Sequence, residues 1–388
     1  MDNPVKPDDA DEKWEGYPKH TRAKHDLLKY YIDIWCRILG ASGDKLRIFD
    51  CFAGRGEYDI NEGQEPISLT NITSPADCPG SPQLLLDTVV GRVDNISEAE
   101  CVFIEKERKN AELLKENLPD ESSLPDGIKY RVEQGEFQTQ TPKSVNQTGG
   151  WSLPSFFFID PFGYSPLDYD VVTRLGSQSR FEIFVNLMAS QVVRWEDADK
   201  HHNALTNLFG TKNWHSELEE FAPEHWNDKE VSYYCHRLEK NGPEYTRAYL
   251  VTEEDTRRMK YYLVFGTNST KGVEKMHSSM KRCGIGEFAY APNRTELHEE
   301  QRGLGTFTEK QRTQKIKQDL LDDFTGMSLS FDDLCEKFVT ENEYHFSQRK
   351  DIRKATKQLE NEERISVTRI TSKTERGLGG DDIVSFPE

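Results

Sequence analysis

Two short segments of the sequence combine acidic, glycine and aromatic residues in patterns that could carry chemistry. The first is Leu46-Arg-Ile-Phe-Asp50-Cys-Phe-Ala-Gly-Arg-Gly56, where an apolar run leads into an acidic residue and a glycine pair. Glycines at the end of a strand let the backbone turn sharply and approach a ligand closely. This pattern predicts a nucleotide-type binding loop, and a tight turn at a strand exit is the alternative.

Residues in other segments could contact the same nucleotide-type ligand. Glu105 ends the next apolar run, where a carboxylate can accept hydrogen bonds from ribose hydroxyls; a solvated charge is the alternative. Further on, Glu136 offers an acceptor for an exocyclic amine and Phe137 an aromatic face for adenine. Lys24 and His25 either reach over this cleft or are surface charges at a helix start. The predicted cofactor-binding residues are Lys24, His25, Asp50, Phe52, Ala53, Gly54, Gly56, Glu105, Glu136 and Phe137.

The second segment is Phe156-Phe-Phe-Ile-Asp160-Pro161-Phe162-Gly-Tyr164. An apolar strand that ends in Asp-Pro places a carboxylate at the edge of a sheet, and the proline fixes the turn. Asp160 and the turn could hold an amino group, and Phe162 or Tyr164 could stack on a flat substrate. We therefore predict Asp160, Pro161, Phe162 and Tyr164 as catalytic residues. An aspartate that only caps a turn is the alternative.

The elements that must position these residues alternate between strand and helix. A first helix is predicted over His20–Leu39 and a clear later one over Glu107–Leu118. Such alternation predicts a mainly parallel sheet. The predicted parallel strands are Leu46–Asp50, Cys101–Glu105, Lys129–Val132, Phe156–Asp160 and Phe181–Leu187.

Two further strands, Tyr245–Thr252 and Tyr261–Thr267, are joined by too short a connection for a crossover helix, so they should pair antiparallel. A helix over Gly272–Cys283 then closes this domain. After the glycine pair, residues 58–79 form an insertion, either a lid or a surface loop. The next helix is predicted to start with Ser81 as its cap and Pro82 as its first helical residue.

The C-terminal part has a different pattern. Helices are predicted over Lys310–Phe324, Ser330–Glu341 and Ser347–Glu363, followed by strands Ile365–Thr371 and Ile383–Phe386 around a glycine-rich turn. This order predicts a winged helix-turn-helix. Its third helix is basic, with predicted nucleic-acid-binding residues Arg349, Lys350, Arg353, Lys354 and Lys357. The predicted domains are an acidic arm over 1–18, an α/β domain over 19–292, a linker over 293–305 and the winged helix over 306–388.

The charge, the cysteine spacing and the apolar runs of the chain exclude several classes of protein. The net charge of −18 disfavours loose binding to nucleic acid or anionic lipid over the whole surface, so basic patches are judged locally. The seven cysteines are scattered, which indicates neither a metal site nor a disulfide framework. No apolar run is long enough to span a membrane, and the polar N-terminus is unlike a targeting signal. We expect a cytoplasmic protein that does not bind a membrane or a metal.

Taken together, these residues resemble the three-Cys-motif partner (TcmP) family of Rossmann-like, methyltransferase-type proteins. The resemblance covers about residues 19–285 and rests on K-H-x-L-L-x-x-Y with Trp35, D-x-F-A-G-x-G, G-S-P, F-I-E, F-F-F-I-D-P-F-G and Tyr262-Leu-Val-Phe with Gly272 and Met276. It implies a partner protein that bears three cysteines. Five parallel strands followed by an antiparallel hairpin are also typical of class I methyltransferases that use S-adenosylmethionine (SAM).

That similarity implies roles for individual residues. Asp50, Ala53, Gly54 and Gly56 would line the methionine end of SAM, and Glu105 its ribose. Asp160-Pro161-Phe162-Gly163 would replace the Asp-Pro-Pro-aromatic motif of amino-methylating enzymes, from which it departs at its third and fourth positions.

The predicted function is SAM-dependent methylation of an amine in DNA or RNA, with the winged helix as the docking domain. One alternative is a non-catalytic nucleic-acid-binding or regulatory partner that keeps a SAM-type pocket. A nicotinamide-dependent oxidoreductase is disfavoured by the hairpin and by Asp-Pro-Phe-Gly. The winged helix could also contact protein in place of nucleic acid.

Overall fold

The computed structural model describes residues 19–56, 79–163, 166–188, 202–222, 229–253, 259–283, 288–291, 309–341, 349–370 and 377–387. Its strands are β1 (Leu46–Asp50), β2 (Ala99–Glu105), β3 (Ile128–Gln134), β4 (Ser155–Ile159), β5 (Phe181–Leu187), β6 (Tyr245–Glu253), β7 (Met259–Thr267), β8 (Phe288–Ala291), β9 (Ser328–Ser330), β10 (Ser366–Thr368) and β11 (Ile383–Ser385). Its helices are α1 (Lys19–Gly40), α2 (Ser81–Val90), α3 (Arg108–Asn117), α4 (Phe137–Gln147), α5 (Tyr169–Gly176), α6 (His202–Phe209), α7 (Trp214–Glu220), α8 (Lys229–Asn241), α9 (Thr270–Cys283), α10 (Glu309–Asp323), α11 (Phe331–Glu341) and α12 (Arg349–Asn361).

The fold is α/β, with a large sheet that contains the parallel strands and a separate small antiparallel sheet. The chain divides into two compact units, one up to Thr141 and the other from Pro142 onward. The predicted boundaries at 292 and 306 do not coincide with this division and stay predictions. The acidic arm over 1–18 and most of the predicted linker lie outside the described residues.

In the first unit, β2 lies between β1 and β3, and both pairs are parallel. Every residue of β1 and β2 is buried, which is the pattern of strands covered on both faces. Helix α1 buries one face, with apolar residues at three-to-four spacing that include Leu28, Tyr31, Ile32 and Trp35. Because the strands are parallel, Asp50, Glu105 and the residues after β3 lie at the same edge of this sheet.

In the second unit, β4 pairs parallel with β5, and β7 pairs antiparallel with both β5 and β6. This confirms the predicted antiparallel hairpin. Strand β8 was not predicted; it begins before the linker and pairs antiparallel with β6 through Leu250 and Ala291. Helices α6, α7 and α8, between β5 and β6, were also missed. They bury Leu205, Trp214 and Tyr234.

The C-terminal elements follow the order α10-β9-α11-α12-β10-β11, and the small sheet has the strand order β10-β11-β9. The predicted start of α11 at Ser330 is wrong, because Ser330 pairs with Ile383 in the sheet. The predicted end of α12 at Glu363 is also wrong. Glu363 has a φ of 57°, and Arg364 N–H donates to Leu359 O at 2.9 Å, which closes the helix in a left-handed C-terminal turn.

These C-terminal helices share a hydrophobic core with helix α9. Val273 of α9 is buried in the same cluster as Leu320, Phe338 and Val384. A polar contact joins β6 to α11, since the buried Arg247 of β6 donates to the backbone oxygen of Thr340 at 2.7 Å. Thr340 lies in the last turn of α11, where the carbonyl groups lack partners within the helix. Within the second unit, the C-terminal elements are therefore packed against α9 and β6.

The described residues contain no helix that is both long and apolar enough to cross a membrane. Within the same residues, no group of three or more His, Cys, Asp or Glu could hold a metal ion.

Candidate functional site

The glycine turn after β1 is held by hydrogen bonds from its own backbone. Asp50 is buried, and its Oδ1 accepts a hydrogen bond from the Phe52 N–H at 3.2 Å. The Ala53 N–H donates to Ile104 O of β2 at 2.9 Å. Gly54 has a φ of 63°, in the left-handed region that glycine adopts without strain. The turn is thus held in place by the Asp50 carboxylate at the end of β1 and by the Ile104 carbonyl near the end of β2.

The carboxylate of Glu105 contacts the same turn. Its Oε2 accepts a hydrogen bond from the Gly54 N–H at 2.8 Å, and its Oε1 accepts one from the Glu107 N–H at 2.8 Å. A carboxylate has about four acceptor positions, so these two bonds leave capacity for a ligand. Glu105 therefore fixes the glycine turn and still presents acceptors at the edge of the sheet.

Space beside Gly54 is open. A Cβ atom placed on Gly54 would meet no other atom within 4 Å, whereas one on Gly56 would lie 2.7 Å from Leu114 Cδ1. The two glycines thus serve different purposes. Gly56 allows close packing against α3, and Gly54 has open space beside its Cα.

The residues on either side of the insertion contact each other. The Gly80 N–H donates to Gly56 O at 2.8 Å, so the helix α2 begins directly against the glycine turn. Gly80 is the cap of α2, one residue earlier than the predicted Ser81. The cap is a glycine because a Cβ there would lie 2.8 Å from Gly56 C and O. Of the insertion predicted over 58–79, residues 58–78 lie outside the described residues.

Glu136 and Phe137 follow β3 at the same edge. The Phe137 ring packs on Phe52, with centroids 5.3 Å apart, and only 2% of Phe137 is exposed. Glu136 is half-exposed and pairs with Lys106 at 3.2 Å. The structure thus brings Phe137 to the glycine turn and leaves Glu136 at the surface.

Lys24 and His25 lie near the start of α1, and both are buried. This burial does not fit the alternative in which they are surface charges. Their predicted role over the cleft stays a prediction.

Cys51, inside the turn, is a poor nucleophile. Burial, and then the neighbouring Asp50 carboxylate, raise the pKa of its thiol well above the usual value. Burial likewise raises the pKa of Cys36 to about 12. These thiols stay protonated at neutral pH, and a thiol is far less reactive than a thiolate.

In the second unit, the Asp160 segment forms a tight turn after β4. Pro161 is buried, and Gly163 has a φ of 82°. Phe162 is 82% exposed. Tyr164 lies outside the described residues. The turn thus presents a carboxylate and an exposed aromatic face.

Asn186 of β5 belongs to the same group, and the sequence analysis missed it. Its Nδ2 donates to Asp160 Oδ1 at 2.6 Å. The available signal was a polar residue near the carboxyl end of the apolar run Phe181–Leu187. The buried Glu182 lies in the same strand, so a polar residue there does not by itself identify Asn186.

The five predicted cations of α12 have different surroundings. Arg349 pairs with Asp332, and its guanidinium lies 5.2 Å from the centroid of Phe331. Arg353 lies over the same ring at 5.1 Å. Lys350 and Lys354 are exposed, and Lys357 is half-buried. The nucleic-acid-binding role of these five cations stays a prediction.

The sequence matches no protein-family model and no curated protein. Three solved structures illustrate what the chain is similar to. Protein LPL1258 from Legionella pneumophila is 12% identical, with 69% of this chain and 95% of that chain covered and a TM-score of 0.41. Spermidine synthase from Thermotoga maritima is 11% identical, with 73% of each chain covered and a TM-score of 0.32.

Trm1 from Pyrococcus horikoshii, solved in complex with SAM, is 10% identical, with 96% of this chain and 92% of that chain covered and a TM-score of 0.31. The resemblance to the three-Cys-motif partner family stays a prediction.

Proposed function

We propose that the protein is a SAM-dependent methyltransferase and that the glycine turn of the first unit binds SAM. The observation that carries this proposal is the contact of Glu105 with Gly54 at the carboxyl edge of β1 and β2. One carboxylate there fixes a glycine turn whose backbone is open to a ligand. A carboxylate at this edge can accept hydrogen bonds from ribose hydroxyls, and a glycine turn lets a ligand approach the backbone closely.

In this proposal, SAM supplies an electrophilic methyl group, and the chain supplies binding and orientation. Glu105 accepts hydrogen bonds from the ribose hydroxyls, and the open backbone at Gly54 receives the amino-acid end. Asp160 accepts a hydrogen bond from the acceptor amine, and the exposed ring of Phe162 stacks on a flat acceptor.

The cofactor is tested by replacing Gly54 with valine. We expect the affinity for SAM to fall at least tenfold, because the new side chain occupies the open space where the ligand meets the backbone. Isothermal titration of the full chain with SAM, with its demethylated product and with NAD measures this effect. SAM or its product should bind more tightly than NAD.

Gly43→Val is the matched control. Gly43 has a φ of 75°, and a Cβ there also meets nothing within 4 Å, but it lies in the loop before β1. Both variants therefore carry the same kind of left-handed backbone strain, about 1–2 kcal/mol. Equal SAM affinity in the two variants, or tighter binding of NAD than of SAM, would overturn the proposed cofactor.

We also propose that residues 309–387 form a winged helix that binds nucleic acid. The supporting observation is the element order α10-β9-α11-α12-β10-β11 with a sheet in the order β10-β11-β9. In this proposal α12 is the recognition helix. Lys350 and Lys354, on its exposed face, contact phosphates.

Replacing both Lys350 and Lys354 with glutamine should flatten the salt dependence of binding to duplex DNA or RNA. Each lost phosphate contact lowers the log–log slope by about 0.9 on B-form DNA. The measurement is fluorescence anisotropy of a labelled duplex with the full chain over a range of salt concentrations. Lys45→Gln is the control, because Lys45 pairs with Glu100 at 2.6 Å in the other unit. An unchanged slope in the double variant would favour a protein partner for this domain.

A further inference from the structure

Asn186 is a buried polar residue in a strand whose other residues are mostly apolar. It is only 5% exposed, and its Nδ2 donates to Asp160 Oδ1 at 2.6 Å. The orientation of the amide follows from chemistry, because an ionised carboxylate can only accept and therefore faces the NH₂ group. The hydrogen bond joins the end of β5 to the turn after β4.

The other end of the same amide has no partner. Asn186 Oδ1 is buried and accepts no hydrogen bond from any described residue. A buried acceptor without a protein donor is unfavourable, and its presence requires an explanation. A leucine at this position would fit an apolar strand without that cost.

Asn268, at the end of the neighbouring strand β7, shows the contrasting case. Its Nδ2 donates to Gly176 O at 2.7 Å and to Gln178 O at 2.9 Å, and its Oδ1 accepts from the Glu244 N–H at 2.9 Å. Both ends of this amide are satisfied by backbone groups of loops. Asn268 is therefore an asparagine that the fold itself uses.

We propose that Asn186 is a positioning residue that holds the Asp160 carboxylate in the orientation needed to accept a hydrogen bond from the acceptor amine. This inference rests on the proposed methyltransferase function. By occupying Oδ1, Asn186 fixes the rotation of the carboxylate, so that the second oxygen has a defined direction. The unfavourable burial of the Asn186 amide is then explained by its contribution to methyl transfer and not by a contribution to stability.

The test uses Asn186→Leu in the full chain, with methyl transfer from labelled SAM to total DNA and RNA as the activity. We expect the rate at saturating SAM to fall at least tenfold, with the affinity for SAM unchanged by isothermal titration. The melting temperature should stay the same or rise, because leucine removes a buried amide. Asn186→Ala, a smaller residue that also lacks the donor, should lose activity in the same way if the leucine variant does not fold.

Asn268→Leu is the matched control and should show the opposite pattern. It loses three backbone hydrogen bonds, so its melting temperature should fall while the rate per folded molecule stays near that of the wild type. A wild-type rate in Asn186→Leu or Asn186→Ala would overturn the inference alone. A melting temperature lowered as much as in Asn268→Leu would also overturn it, because Asn186 would then be structural. A wild-type chain that transfers no methyl group would overturn the proposed function, and the inference with it.

Discussion

Replacing Asp160 with asparagine is expected to lower the rate of methyl transfer by about 10²–10³ while leaving the affinity for SAM intact, since one lost transition-state interaction typically costs about 2.7–4 kcal/mol. The substitution keeps the side-chain volume and removes the negative charge. Because Asn186 Nδ2 already points at this group, the new amide must turn its oxygen toward Asn186. Its NH₂ group then faces the acceptor amine, where a donor meets a donor.

The measurement is methyl transfer from labelled SAM to total DNA and RNA, alongside isothermal titration with SAM and a melting curve. Asp168→Asn is the control for the change in charge. Asp168 caps α5 by accepting a hydrogen bond from the Val171 N–H at 3.1 Å, and asparagine caps helices equally well. The non-catalytic alternative gains if the wild type binds SAM without transferring methyl groups and Asp160→Asn only lowers the melting temperature.

Gly80→Ala is expected to destabilise the first unit by about 1–3 kcal/mol, the usual cost of adding a methyl group to a packed position. Gly80 has a φ of −67°, which alanine adopts without strain. The effect therefore comes from the added Cβ, which would lie 2.8 Å from backbone atoms of Gly56. Since Gly56 ends the glycine turn, displacing it should also weaken SAM binding. Thermal melting and titration with SAM measure the two effects.

Gly91→Ala is the matched control at the other end of α2. Gly91 has a φ of −63°, and a Cβ there approaches only Asp87 O, at 3.3 Å, and Thr88 O. We expect a change within about 1 kcal/mol, in line with the usual effect of replacing glycine by alanine at a compatible position. If the two variants have equal stability, the contact between Gly80 and Gly56 does not support the turn.

The strand ends that carry the candidate residues could be predicted from sequence, because apolar runs that stop at Asp50, Glu105 and Asp160 are local signals. Parallel pairing then places the first two at the same edge of one sheet. The antiparallel hairpin was also predictable, since its short connection excludes a crossover.

Contacts between distant residues could not be predicted in this way. The contact of Gly80 with Gly56 spans the insertion, and nothing in the local sequence indicates that the chain returns to the same turn. The hydrogen bond from Asn186 to Asp160 depends on the pairing of β4 with β5. The burial of Arg247 likewise depends on a carbonyl group of α11, far along the chain.

The shared core of α9 and the C-terminal helices also sets the order in which the chain can fold during synthesis. Val273 leaves the ribosome well before Phe386, yet both are buried in the same cluster. The Phe386 N–H also donates to Met327 O at 2.9 Å, so the small sheet closes only when residue 386 is available. The face of helix α9 that carries Val273 therefore stays uncovered while the last quarter of the chain is synthesised. During that interval this exposed apolar face is prone to aggregation.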